Sequence, residues 1–258
     1  MSRVLAVDIG NSNIVIGSFD GSKYTELGRL KSDRNFTEDE IAEGFADLIS
    51  KAGLKERSFD GSVLSSVVTE MTDKTAGALK KITGKDAMIP NTTMNTGIDV
   101  SRYDTSCLGF DRVADLSAAV SVYGCPVMVC DLGTCTTITV ADENAGLVGG
   151  MICPGVQLSL DAEAQRTSKL PQLTARKTDR LLGTDTESNM IAGTVAATGI
   201  MLTGLVDRIT REYGFENLKV VITGGWSEAV IQWMDTDVIR DPDLLMKGLL
   251  TIYNKNKC

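Results

Sequence analysis

The feature that most constrains this chain is a short pattern that occurs twice. Val4-Leu5-Ala6-Val7 is an apolar run that ends at a carboxylate, Asp8, followed by the small polar loop Gly10-Asn11-Ser12-Asn13 and a second apolar run, Ile14-Val15-Ile16. Nearly half the chain further on, Val127-Met128-Val129-Cys130 leads to Asp131, then to Gly133-Thr134-Cys135-Thr136-Thr137 and Ile138-Thr139-Val140. Each copy reads as strand, turn, strand, with an acid at the exit of the first strand. Glycine lets backbone N–H groups approach an anion, and Asn, Ser and Thr add side-chain donors. The acid is wrong for a bare phosphate but right where a hydrated divalent cation lies between carboxylate and phosphate. A repeat on this scale predicts duplicated domains rather than a solenoid. Two such hairpins, one per copy, are expected to grip a nucleotide from both sides.

The rest of the composition narrows the chemistry. The 258 residues include no histidine. That excludes a Ser-His-Asp triad, a Cys-His dyad and a His-ligated zinc. General base work then falls to a carboxylate, or else to Lys, Tyr or Cys. A net charge of −8 without a basic run argues against a nucleic-acid surface and against an anionic membrane surface. Cys107, Cys125, Cys130, Cys135, Cys153 and Cys258 form no CxxC pair. Reduced cytosolic thiols are therefore expected, in a cytoplasmic protein. The N-terminus MSRVLAVD runs directly into the first strand, with nothing that reads as a removable leader. The apolar stretch 193–206 is interrupted by Gly and Thr and reads as too short to span a bilayer.

Periodicity and punctuation predict the remaining elements. Residues 24–30 read as a third strand, 38–52 as a helix capped by Thr37 and closed by Gly53, and 60–68 as a buried strand. A helix over 69–82 ended by Gly84 and a short strand at 86–90 complete a β-β-β-α-β-α-β unit. Residues 91–112 are irregular, and a helix over 112–123 leads to the second hairpin. A strand at 146–151, helices over 156–164 and 190–213, a strand at 220–223 before Gly224-Gly225, and a helix over 243–253 follow. Gly193, Ala197 and Gly204 give the 190–213 helix a small-residue face that another helix could approach closely, within the chain or across a dimer. The division expected is 1–113 and 114–258, with the last helix able to pack back on the first domain.

Gly109-Phe110-Asp111-Arg112 places an acid and a base together just before a helix. A helix N-terminus favours an anionic ligand, and Arg112 can pair with a carboxylate. Asp111 could then take a proton from a substrate hydroxyl, or it could simply be the helix N-cap. Asp131 could hold a metal or phosphate, or cap a turn.

Together these stretches resemble the type III pantothenate kinases, of the acetate and sugar kinase, heat-shock protein and actin superfamily. The pieces are DIGNSN at 8–13, GFDR at 109–112, DLGTCTT at 131–137, GGMICPG at 149–155, RTSKLP at 166–171, TGG at 223–225 and DPDLLMKGL at 241–249. Their order matches the family's and they span nearly the whole chain. The resemblance implies an α/β fold of duplicated RNase H-like (actin-like ATPase) domains with mixed sheets and a central cleft. It implies transfer of the γ-phosphate of ATP to the 4′-hydroxyl of pantothenate, the first step towards coenzyme A, by a homodimer. By the same resemblance Asp8, Ile9, Gly10, Asn11, Ser12, Asn13, Ile14 and Val15 bind ATP, with magnesium held by Asp8 through water, and Thr134 contacts ATP. Asp131 holds a monovalent cation, K+ or NH4+. Gly109, Phe110, Asp111 and Arg112 bind pantothenate, with Asp111 as the base, and Thr186 and Tyr103 touch substrate. Three departures stand out: Tyr103 is about one position out of register, Phe110 replaces a small residue, and Asp185 replaces a common asparagine. Two other functions fit the same fold: a kinase of another small hydroxylated substrate, and a non-catalytic regulator.

Overall fold

In the computed structural model, which describes residues 3–257, the first repeat forms β1 (Arg3–Ile9) and β2 (Asn13–Asp20), paired antiparallel from Arg3↔Asp20 to Ile9↔Ile14. β3 (Lys23–Lys31) continues the meander and β4 (Gly61–Ser66) joins β1 in parallel, so the sheet runs β3-β2-β1-β4. β1 is apolar over Val4–Val7 because both its faces are covered there. Leu5, Val7 and Ile9 enter one buried cluster, Val4 and Ala6 another.

The first of these faces is covered by α1 (Glu38–Lys51) and α2 (Thr69–Thr83). Thr37 and Glu40 form a reciprocal capping box at the start of α1, and Ile41, Phe45 and Ile49 recur at helical spacing on its buried side. α2 ends at Gly84 in the left-handed region. The strand expected at 86–90 does not form. Met88 makes only an isolated parallel bridge to Val63, with Met88 N–H donating to the Ser62 carbonyl and Leu64 N–H to the Met88 carbonyl, each at 2.9 Å. Pro90, which has no N–H to donate, prevents that bridge from extending.

The second face of the sheet is covered by α3 (Phe110–Tyr123) and by the closing helix, α7 (Leu244–Asn256). α3 begins two residues before the expected start at 112, so Asp111 lies inside its first turn and is not the N-cap. The chain divides into two compact units. The first runs through Val100, resumes over Asp104–Ser121 and takes in everything from Asp243; the second comprises Ser101–Tyr103 and Val122–Pro242. The closing helix thus belongs to the first unit, and α3 is not divided at 113.

The second unit repeats the plan. β5 (Val127–Leu132), β6 (Cys135–Ala141) and β7 (Leu147–Pro154) form the meander. β8 (Lys219–Thr223) joins β5 in parallel and the two-residue β9 (Ile239–Arg240) extends the edge, giving β7-β6-β5-β8-β9. α4 (Val156–Arg166), α5 (Thr186–Tyr213) and α6 (Ser227–Ile231) contribute to its core. β9 and α6 are too short for periodicity to reveal.

α5 starts four residues ahead of the expected 190 because Asp185 caps it, in a reciprocal box with Ser188. Ala192–Ala196 is π-wound, and the Thr194 and Thr198 hydroxyls donate back to the Met190 and Thr194 carbonyls around it. The stretch 193–206 is therefore the interior of a 28-residue helix, and the expectation that it is too short to span a bilayer fails: the helix is long and apolar enough by length and composition. Half of its most apolar window is buried inside the protein.

Candidate active site

In the first unit Asp8 is the next-to-last residue of β1, half-buried, opposite Val15 on β2 and beside Ser65 on β4. The loop after it is tied on both sides. Gly10 N–H donates to the Asn13 carbonyl at 2.9 Å. The Ser32 hydroxyl donates to the Gly10 carbonyl at 2.6 Å, and Ser32 N–H to the Ser12 carbonyl at 3.0 Å. Gly10 N–H is thus used within the hairpin, while Asn11, Ser12 and Asn13 are exposed. Ile9 and Ile14 are fully buried in the core and can border the loop only through their backbone.

The GFDR stretch lies in the same unit. Phe110, half-buried, packs on the cluster containing Val4, Ala6, Val63 and Ala114. Since Val4 and Ala6 share their strand face with Asp8, α3 begins over the face that carries Asp8. The Asp111 carboxylate accepts the Arg112 N–H at 2.9 Å, in a first turn where the helix dipole favours negative charge. The Arg112 side chain is buried.

Two features of this neighbourhood escape sequence reasoning. The Tyr24 hydroxyl is pushed well above its ordinary pKa, first by burial and then by the carboxylates of Glu26, Asp243 and Asp8. Tyr24 therefore feels the charges of both Asp243 and Asp8. The only signal for Tyr24 is its register opposite Phe19 across β2 and β3, and Asp243 is distant in sequence.

In the second unit Asp131 is the next-to-last residue of β5, opposite Thr137 and beside Thr223. Gly224 has φ 87°, and a Cβ there would lie 2.4 Å from an Asp131 carboxylate oxygen and 2.5 Å from the Leu132 backbone. A Cβ on Gly155 would lie 2.3 Å from the Thr134 carbonyl oxygen and 2.5 Å from that of Gly133. Bare glycine backbone at Gly224 thus lies against the Asp131 carboxylate, while Gly155 packs on the loop carbonyls, its N–H donating to that of Thr134 at 3.1 Å. Thr134 is exposed at the tip of the loop.

The other expected substrate residues also lie in the second unit. Thr186 is exposed in the first turn of α5; the Asp185 carboxyl before it is held below the usual carboxylate range, chiefly by the Ser188 N–H. Tyr103 belongs to the three-residue piece 101–103, where Arg102 pairs with Asp142.

Among the described residues no group of three or more His, Cys, Asp or Glu side chains could hold a metal ion. A lone carboxylate with hydroxyls and carbonyls suits a hydrated divalent ion or a monovalent cation, and does not suit zinc. The five described cysteines are free, and burial pushes the Cys130 thiol well up in pKa; Cys258 lies outside the described residues.

Two sheets of one plan, each with an acid at the end of its central strand, define a duplicated RNase H-like protein of the actin-like ATPase fold. Solved structures agree. An activator of 2-hydroxyisocaproyl-CoA dehydratase from Clostridium difficile, with bound ADPNP, aligns over 97% of this chain and 93% of its own at 12% identity, TM-score 0.56. A Campylobacter jejuni protein described as a Baf family transcriptional activator aligns over 98% of both chains at 21% identity, TM-score 0.60. At such identities these likenesses speak for the fold alone.

The sequence profile of the type III pantothenate kinases matches residues 4–210, and the chain belongs to that family. The type III pantothenate kinase of Halalkalibacterium halodurans is 34% identical over 253 residues, 98% of this chain and 99% of that one. That of Agathobacter rectalis is 31% identical over 252 residues, 98% and 97% of the two chains.

Proposed function

We propose that this protein is a cytoplasmic phosphotransferase that uses ATP to phosphorylate the 4′-hydroxyl of pantothenate, the first step towards coenzyme A. One observation supports the reading: α3, which carries Asp111 and Arg112 in its first turn, packs through Phe110 and Ala114 on the sheet face of Val4 and Ala6, the face to which strand alternation assigns Asp8. Membership of the family supplies the substrate.

Phosphoryl transfer to an alcohol needs positioning and charge neutralisation more than covalent work by the protein. The exposed loop Asn11–Asn13 offers donors to the phosphates, and Asp8 holds magnesium through water. When bound, that ion neutralises charge developing on the transferred phosphoryl group. Asp111 accepts the proton of the substrate hydroxyl, which frees the oxygen to attack. Arg112 anchors the pantothenate carboxylate through a charge-assisted pair. Thr186 and Tyr103 add substrate contacts, and Thr134 adds a contact to ATP. Asp131, with Gly224 backbone against its carboxylate, would hold K+ or NH4+. The exposed stripe Gly193, Ala197, Ile200, Met201 and Gly204 of α5 is the face on which two copies associate.

The reading is tested by incubating the protein with ATP, magnesium and either pantothenate or a panel of sugars and short hydroxy acids. Pantothenate alone should give ADP together with a product heavier by one phosphoryl group. Turnover of another compound and not of pantothenate would reject it.

A further inference from the structure

We infer that the Ser65 hydroxyl is a further group of the nucleotide site, donating a hydrogen bond to the water shell of the magnesium ion beside Asp8. The inference rests on the proposed use of magnesium and ATP. Ser65 is the next-to-last residue of β4 and the Cα partner of Asp8 across the parallel β1–β4 pair. Parallel neighbours lie about 4.8 Å apart and point their side chains to the same face. That shared face is fixed by the packing: Val63 enters the cluster of Val4 and Ala6, whereas Leu64 enters that of Leu5, Val7 and Ile9. Ser65 is 3% exposed, and its Oγ has no hydrogen-bond partner among the described residues.

A buried hydroxyl without a partner is costly to keep. Ser62, Thr75 and Thr136 are also buried hydroxyls without partners, so the orphaned oxygen alone does not mark a site. Position distinguishes Ser65. It lies at the carboxyl end of its strand, where ligands of open α/β sheets bind, in register with the candidate metal acid. Ser62 lies on the opposite face with Leu64, under α1 and α2. The second unit repeats the pairing of acid and hydroxyl: Asp131 is the partner of Thr223 at the end of β8, and Thr223 is 5% exposed. A hydroxyl beside the acid is therefore part of the duplicated plan.

The test compares Ser65→Ala and Ser62→Ala by calorimetric ADP binding with and without magnesium, alongside thermal unfolding and pantothenate-dependent turnover. Ser65→Ala should leave the unfolding midpoint unchanged or slightly raised, because no hydrogen bond within the protein is lost. It should weaken magnesium-dependent ADP binding about fivefold, leave metal-free ADP binding unaltered, and raise the magnesium concentration needed for turnover. Ser62→Ala should behave alike in unfolding but leave ADP binding, with or without magnesium, and the magnesium requirement of turnover unchanged. Wild-type affinity for magnesium-ADP in Ser65→Ala, or equal losses in the two variants, would overturn the role of Ser65 while leaving the kinase reading intact. ADP binding by the wild-type protein that magnesium does not alter would overturn both.

Discussion

Asp8 and Asp131 occupy the same station in two separately built sheets. Each is the next-to-last residue of a strand that pairs antiparallel with the strand after it and parallel with a later one. Each stands beside a buried hydroxyl residue, Ser65 or Thr223. Their surroundings differ. Asp8 shares its face with the start of α3 and its charge reaches Tyr24, whereas Asp131 has the bare backbone of Gly224 against its carboxylate. One plan thus places two acids in different surroundings.

The Asp8 assignment predicts that Asp8→Ala folds normally, since the side chain is half-buried at a strand end, and that it uses magnesium-ATP poorly. A loss of about 10²–10³-fold is expected from removal of an electrostatic group at a phosphoryl site. Circular dichroism together with a magnesium titration of turnover checks this; unchanged turnover would remove the first loop from the mechanism.

Much of this was legible in the sequence for identifiable reasons. β1 and β5 are buried on both faces and read as apolar runs, and the acid–glycine loops mark their ends. Thr37 and Glu40 announced α1. The misses have physical causes. The segment 86–90 carried strand-like residues but lacked a donor at Pro90. α3 began early enough to place Asp111 inside the helix. The four-residue extension of α5 depended on the cap at Asp185. Ser65 and Tyr24 are related to Asp8 only through strand register and long-range packing, which no local pattern encodes.

The bare backbone of Gly224 against Asp131 predicts a contrast between neighbours. Gly224→Ala must hold a left-handed φ, costing about 1–2 kcal/mol, and pushes its methyl against Asp131. Gly225→Ala meets nothing within 4 Å. Potassium titration into protein dialysed against Tris should restore turnover in the wild type and in Gly225→Ala, with a higher requirement in Gly224→Ala. A flat response in all three would separate Asp131 from any monovalent cation.

Asp142 gives a prediction for acid stability. Burial raises its carboxyl pKa, but Arg102 and the N–H groups of Gly146 and Asn144 outweigh burial and hold it below the ordinary carboxylate range. A pKa lowered on folding contributes stability that is complete above the unfolded value, about 3.9, and lost as pH falls through the folded value. Wild type should therefore be more stable than Asp142→Asn at pH 7, and the gap should shrink below pH ~4. Denaturant midpoints measured across that range check it; a gap independent of pH would assign the difference to geometry alone.

The exposed stripe of α5 predicts a dimer. Light scattering should give twice the chain mass of 27.6 kDa, and Gly204→Glu, which has open space at its Cβ, should give a folded monomer. A monomeric wild type at working concentration would reject this face as an interface.

The account stands most directly on Asp111. Asp111→Asn is nearly isosteric and keeps the oxygen that accepts the Arg112 N–H, so the first turn of α3 should survive it. The decisive measurement is pantothenate-dependent ADP release by this variant, with ATP binding measured on the same sample. Loss of a general base costs about 10²–10⁴-fold, so turnover should fall by that factor while ATP still binds. Near-normal turnover would contradict the account and leave Asp111 as a binding or structural residue.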